Sequence, residues 1–206
     1  MGVNRARRRQ RVRSAQAPRS PIRLAAIGGT ILLLAAIVAV VLINRATVPR
    51  SASEAPIYAP LNAGEKAPPF AVTTLDGRRI DSNAVQKPIL LEVFATWCPH
   101  CQHETALLNA LHARFGERLQ IIAVSGSATA ADRSSPESLD DVRGFARYFR
   151  VSYPIAFDPD LGVAKHYLQG AFPAIVFIDR DKVVRSVESG EVPLKQLIAD
   201  AKKAGA

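Results

Sequence analysis

Apolar and polar positions change their spacing several times along this chain, and each change marks an element. Leu24 to Ile43, LAAIGGTILLLAAIVAVVLI, is a run of twenty positions without a charge. Twenty helical residues reach about 30 Å, the hydrocarbon thickness of a bilayer, so the run predicts a transmembrane helix. From about Ala67 the runs shorten. FAVTTLDGRRI alternates around Asp76-Gly77 and predicts a β-hairpin. PILLEVFATW is continuous, apolar and β-rich, as a buried central strand should be. Leu107, Leu108, Leu111 and Phe115 then recur at helical spacing, and Gly116 ends the pattern. LQIIAVSGS predicts a second buried strand. PESLDDVRGFARYFRV predicts a capped helix with Val142, Phe145, Ala146 and Phe149 on one face. YPIAFDPD is short and extended, and GVAKHYLQG a short helix. AFPAIVFIDRDKVVRSVESG gives two strands around an Asp-rich turn, and PLKQLIADAKKA a closing amphipathic helix. Strands alternating with helices predict an α/β sandwich with a mixed sheet.

Charge changes the picture at the N-terminus. The net charge of +9 suggests a polyanion partner, but residues 1–45 hold nine of the 27 basic residues and none of the 18 acidic ones. The remainder carries 18 of each sign and has no global field to hold a nucleic acid, so no nucleic-acid partner is expected. Eight of the nine arginines precede the apolar run; beyond it only Arg45 and Arg50 lie close. The positive-inside rule then places the N-terminus in the cytoplasm and the bulk of the chain outside. Four regions are expected: a basic cytoplasmic tail over 1–23, the transmembrane helix over 24–43, an Ala/Pro/Ser-rich linker over 44–66 and a globular domain over 67–206. A cleaved signal peptide is the competing reading, with Ser51-Ala52-Ser53 as a passable cleavage site, although its apolar region would be about 7–15 residues.

The candidate chemistry lies in FATWCPHCQHE, which holds the only two cysteines of the chain, Cys98 and Cys101. The predicted strand-to-helix junction gives this C-x-x-C its meaning. A helix N-terminus favours thiolate at the first sulfur, and the second lies one turn in, close enough for one thiol to attack a disulfide and the other to resolve it. Zinc would need four ligands and a second cysteine pair is missing; covalent haem attachment would need His where Gln102 stands. A structural disulfide closing so small a ring would contribute little. No metal or cofactor is therefore expected.

FATWCPHC, Glu104 three residues after the second cysteine, and GAFPAIVFID together resemble the thioredoxin superfamily. The closest likeness is to its membrane-anchored, extracytoplasmic TlpA/ResA-like branch, which also has an extra segment between the IIAVSGS strand and Pro173. The resemblance covers about two thirds of the chain. It implies a three-layer thioredoxin-like fold and thiol-disulfide exchange with protein substrates, with a membrane-embedded redox partner. It implies that Cys98 is an exposed nucleophile and Cys101 a buried resolving thiol. Pro173 matches the family's cis-proline, and Trp97, Pro99, Phe172 and Pro173 are the implied substrate-docking face. Ala106 stands where many relatives carry a helix-kinking proline, so the helix should run straighter.

Glu92 is placed mid-strand between Leu91 and Val93, where a lone carboxylate is desolvated and its pKa raised. Six residues before Cys98, it resembles the superfamily's buried acid, a proton acceptor for Cys101; a solvated strand carboxylate is the ordinary alternative. Two other classes share enough to be weighed. A peroxiredoxin-like peroxidase wants Thr three residues before its nucleophile, whereas Thr96 is two before Cys98. A Sco-like copper-delivery protein wants a wider cysteine spacing and a distal histidine. The direction of electron flow draws two opposing expectations. The anchored relatives are mostly reductases. Pro99 and His100, however, suggest further thiolate stabilisation at Cys98, and hence a pair more oxidising than thioredoxin.

Overall fold

A computed structural model describes Leu34, residues 37–40 and residues 60–206. Leu34 and residues 37–40 are helical and exposed. The basic tail, the rest of the expected membrane span and most of the linker lie outside the described residues. Among the described residues no helix is long and apolar enough to cross a membrane.

The domain begins slightly earlier than Ala67. Gly64 N–H donates to Val184 O and Val184 N–H to Glu65 O, at 2.8 and 2.9 Å, while Ala67 N–H donates to Lys182 O at 2.9 Å. The end of the expected linker is thus bonded to the domain. The predicted hairpin forms between β1 (Ala71–Thr73) and β2 (Arg79–Asp81), with Thr73 opposite Arg79 and Asp76-Gly77 between them. Gly77 has φ +85°, the left-handed conformation its turn needs.

The central sheet has five strands: β3 (Ile89–Phe94), β4 (Gln120–Ser125), β5 (Ile155–Phe157), β6 (Ala174–Ile178) and β7 (Val184–Ser189). Their order is β5-β4-β3-β6-β7. The β3–β4 and β4–β5 pairs are parallel; β3–β6 and β6–β7 are antiparallel, so the sheet is mixed. β3 lies at its centre with all six residues buried, which explains its unbroken apolar pattern.

Alternation along β3 divides the core in two. Leu90 and Phe94 share one face with residues of α1 (Pro99–Phe115), α2 (Leu139–Tyr148) and α4 (Leu194–Lys203). Ile89, Leu91 and Val93 face the other way, among Phe70, Val72 and Ile80 of the hairpin region and Ala164 and Tyr167 of the short helix α3 (Ala164–Tyr167). This is the expected three-layer arrangement. Glu92 has the same parity as Leu90 and Phe94, so it falls on the α1 side of the sheet. α1 runs through Ala106 without interruption. It ends where Gly116 N–H bonds His112 O, and a Cβ at Gly116 would stand 2.7 Å from that oxygen. α2 begins with a capping box in which Ser138 and Asp141 bond each other's backbone N–H groups.

Candidate active site at the start of helix α1

The chain leaves β3, turns through Ala95, Thr96 and Trp97, and enters α1 with Cys98 as its N-cap and Pro99 at the first helical position. Pro suits that place because its missing N–H has no helical partner there. No acidic side chain lies in the first turn, so the positive end of the helix is not neutralised locally. Cys98 N–H donates to Ala95 O at 3.1 Å, and the Gln102 side chain donates to Thr96 O at 3.0 Å, fixing the turn.

Both cysteines are free thiols. Cys98 is less exposed than the resemblance implied: only 4% of it is accessible, against none of Cys101. The reason is its setting. Cys98 Sγ donates to Phe172 O at 3.5 Å, and the side chain joins the apolar cluster beneath α1. The Phe172–Pro173 bond is cis, as the resemblance implied for Pro173. Trp97 and Phe172 meet edge to face at 5.7 Å, so Trp97 and the Phe172 carbonyl, which precedes Pro173, lie beside the first sulfur. Pro99 and His100 are exposed on the first turn.

Beneath this surface Cys101 is sealed among acids. Burial pushes its thiol up, and the charge of Glu92 pushes it further. Glu92 is itself 1% exposed, and one carboxylate oxygen has no hydrogen-bond partner. Burial raises its pKa well above the usual carboxylate range, and Glu104 adds to the effect. Glu104 is fully buried, with one oxygen accepting from Val192 N–H at 2.9 Å and the other unpartnered. Burial carries its pKa up to about 7. Tyr153 is also buried here; burial raises its phenol well above its usual value, and Glu92 contributes. Glu104 was legible only as a motif match, although it shares a face with Leu108, Leu111 and Phe115 at helical spacing and so had to point inward.

His100 has a partner the sequence did not indicate. Its Nδ1 faces a Glu191 carboxylate oxygen at 3.2 Å, and His103 Nδ1 faces the other at 2.7 Å. The hydrogen bond from His100 is the main cause holding the Glu191 carboxyl below its usual range. The segment 126–138, between β4 and α2, supplies further unexpected contacts. Trp97 Nε1–H donates to Ser127 Oγ at 2.9 Å. Thr96 Oγ1 donates to Glu137 at 2.7 Å, and Ser125 Oγ donates to the second oxygen of the same carboxylate. Glu137 is buried, and burial raises its pKa to about 7. Among the described residues no cluster of His, Cys, Asp and Glu could hold a metal ion.

A C-x-x-C pair opening the helix after the central strand of a mixed sheet, opposite a cis-proline loop, defines a thioredoxin-like thiol-disulfide oxidoreductase. The chain belongs to the AhpC/TSA family, whose model matches residues 63–187. It is similar to the thiol-disulfide oxidoreductase ResA of Bacillus thuringiensis, with 30% identity over 69% of this chain and 79% of that one. It is also similar to the thioredoxin-like protein YneN of Bacillus subtilis, with 28% identity over 66% and 77% of the two chains. Among solved structures, a thiol:disulfide interchange protein of the thioredoxin family from Chlorobium tepidum superposes with a TM-score of 0.55. It is 23% identical and covers 71% of this chain and 99% of its own.

Proposed function

We propose that this chain is a membrane-anchored reductase of protein disulfides that works outside the cytoplasm. The observation that carries the chemistry is the contrast between the two sulfurs. Cys98 stands at a helix N-terminus beside the Phe172 carbonyl, whereas Cys101 is sealed below it against Glu92.

In this reading the Cys98 thiolate attacks one sulfur of a substrate disulfide. That S–S bond breaks, its other sulfur leaves with the bonding pair and takes up a proton, and a Cys98–substrate disulfide forms. Glu92 accepts the proton of Cys101, and the Cys101 sulfur attacks Cys98. The second substrate sulfur leaves as a thiolate. Two electrons have passed to the substrate, and a Cys98–Cys101 disulfide remains for a membrane-embedded partner to reduce. Trp97, Pro99, Phe172 and Pro173 form the face against which the substrate strand lies.

One contact supports this direction. Stabilising the thiolate form makes a pair more oxidising. Here His100, the residue expected to do so, is engaged by the Glu191 carboxylate. That contact leaves less thiolate stabilisation at Cys98, which favours the disulfide form and makes the pair a better reductant. The membrane anchor is supported by the apolar run Leu24–Ile43 and by the arginines before it. The deciding experiment is the reduction potential of the pair. We expect a value at or below about −270 mV, near thioredoxin; a value near −120 mV, that of a strong oxidant, would reverse the direction. Turnover of hydrogen peroxide faster than of disulfides would point to a peroxidase instead.

A further inference from the structure

The segment 126–138 does more than cover the fold, because it carries a cation to the rim of the nucleophile. The Arg133 guanidinium carbon lies 4.0 Å from the centre of the Trp97 ring, a cation–π stack. Trp97 precedes Cys98 in the chain and meets Phe172, whose carbonyl faces the Cys98 sulfur.

Arg133 is held there by the loop. Its own N–H donates to Ala130 O at 2.9 Å, and Ala130 N–H donates to Ser135 O at 2.9 Å. Its φ is +59°, a left-handed conformation that costs a non-glycine residue energy and persists where the surroundings enforce it. Ser127 and Glu137, near the two ends of the segment, bond Trp97 and Thr96. Loop and nucleophile turn are therefore tied at three points.

The neighbouring acids are committed elsewhere. The Asp132 carboxylate accepts from Ser134 N–H and Ser135 N–H at 2.9 Å, and from Ser135 Oγ–H at 2.6 Å; these bonds hold its pKa well below the usual range. Glu137 is buried on Thr96 and Ser125. Glu191 bridges His100 and His103. Among the described residues Arg133 belongs to no ion pair, although it is exposed. A guanidinium over a ring still has N–H groups to offer a planar acceptor, and a carboxylate fits that fork.

We propose that Arg133 is a specificity-determining residue that binds a carboxylate next to the cysteine of an incoming polypeptide, so that the protein favours substrates with an acidic residue beside the disulfide. The inference rests on the oxidoreductase reading above. Its test uses the full-length protein in detergent and three disulfide peptides identical except for Glu, Gln or Lys beside the cysteine. The wild type should favour the Glu peptide over the Lys peptide in kcat/KM by about fivefold at low salt, the size of one exposed ion pair. The preference should reside in KM, fade with salt, vanish in Arg133→Gln and invert in Arg133→Glu. Turnover of the Gln peptide should change less than twofold. An equal loss on all three peptides would mean that Arg133 only supports Trp97, and equal wild-type rates would remove the preference itself; either result overturns the inference alone. Failure of the wild type on every peptide would instead overturn the oxidoreductase reading beneath it.

Discussion

At the scale of single residues, the chemistry depends on acids that are costly to bury. A base can accept the Cys101 proton only when it is itself deprotonated, and Glu92 is held well above the usual carboxylate range. Resolution of the mixed disulfide should therefore speed up as pH rises through the Glu92 pKa. Glu92→Gln should slow that step and remove the pH dependence, while Cys98 alkylation changes little. Stopped-flow fluorescence of Trp97 would follow it, and an unchanged rate profile would return Glu92 to a structural role. Because Glu104 raises Glu92, Glu104→Gln should shift the same profile to lower pH. A group with a raised folded pKa contributes its stability below the unfolded value and loses it as pH rises to the folded one. With Glu104 and Glu137 both near 7, stability should fall by a kcal/mol or more between about pH 4.5 and 7. Glu137→Gln and Glu104→Gln should each flatten the fall in urea denaturation. A further outcome concerns His100: Glu191→Gln should release the imidazole and raise the reduction potential, and a fall or no change would contradict the directional argument.

At the scale of elements, the sequence was readable wherever the pattern is local. The strands, the hairpin and helices α1, α2 and α4 lie where apolar periodicity put them, because each buries one face or one stripe against the same sheet. The contacts of the 126–138 segment were not readable. PESLDDVRGFARYFRV predicts a capped helix and α2 forms there with Ser138 as its cap, but nothing in that pattern shows that Glu137 bonds a threonine 41 positions earlier. The same holds for Glu191, 91 positions from His100. Such pairs leave no periodicity, since nothing local requires them. Where the segment leaves β4, Gly126 N–H donates to Phe94 O at 2.8 Å, and an added Cβ would stand 2.4 Å from Val93 Cγ1 and 2.9 Å from Ala164 Cβ. Gly126→Ala should therefore cost about 1–3 kcal/mol by overpacking. A change within 0.5 kcal/mol in chemical denaturation would show that the two neighbours yield easily.

At the scale of the whole molecule, a redox domain follows an apolar run that we propose as its membrane anchor. The domain over 60–206 has its own core on both faces of the sheet, and the arginine-flanked apolar run precedes it in the sequence. A reporter fused at Ala206 should be active only outside the cytoplasm, and the protein should stay with membranes through a high-salt wash. Release by salt would exclude an apolar anchor. The central claim is that Cys98 makes the bond to substrate and Cys101 breaks it. The measurement that reaches it most directly is mass-spectrometric mapping of the mixed disulfide formed with a peptide disulfide under acid quench. Cys101→Ser should accumulate the adduct on Cys98, and Cys98→Ser should accumulate none. An adduct on Cys101 in the Cys98→Ser protein, formed as fast as the other, would contradict the assignment of the two sulfurs.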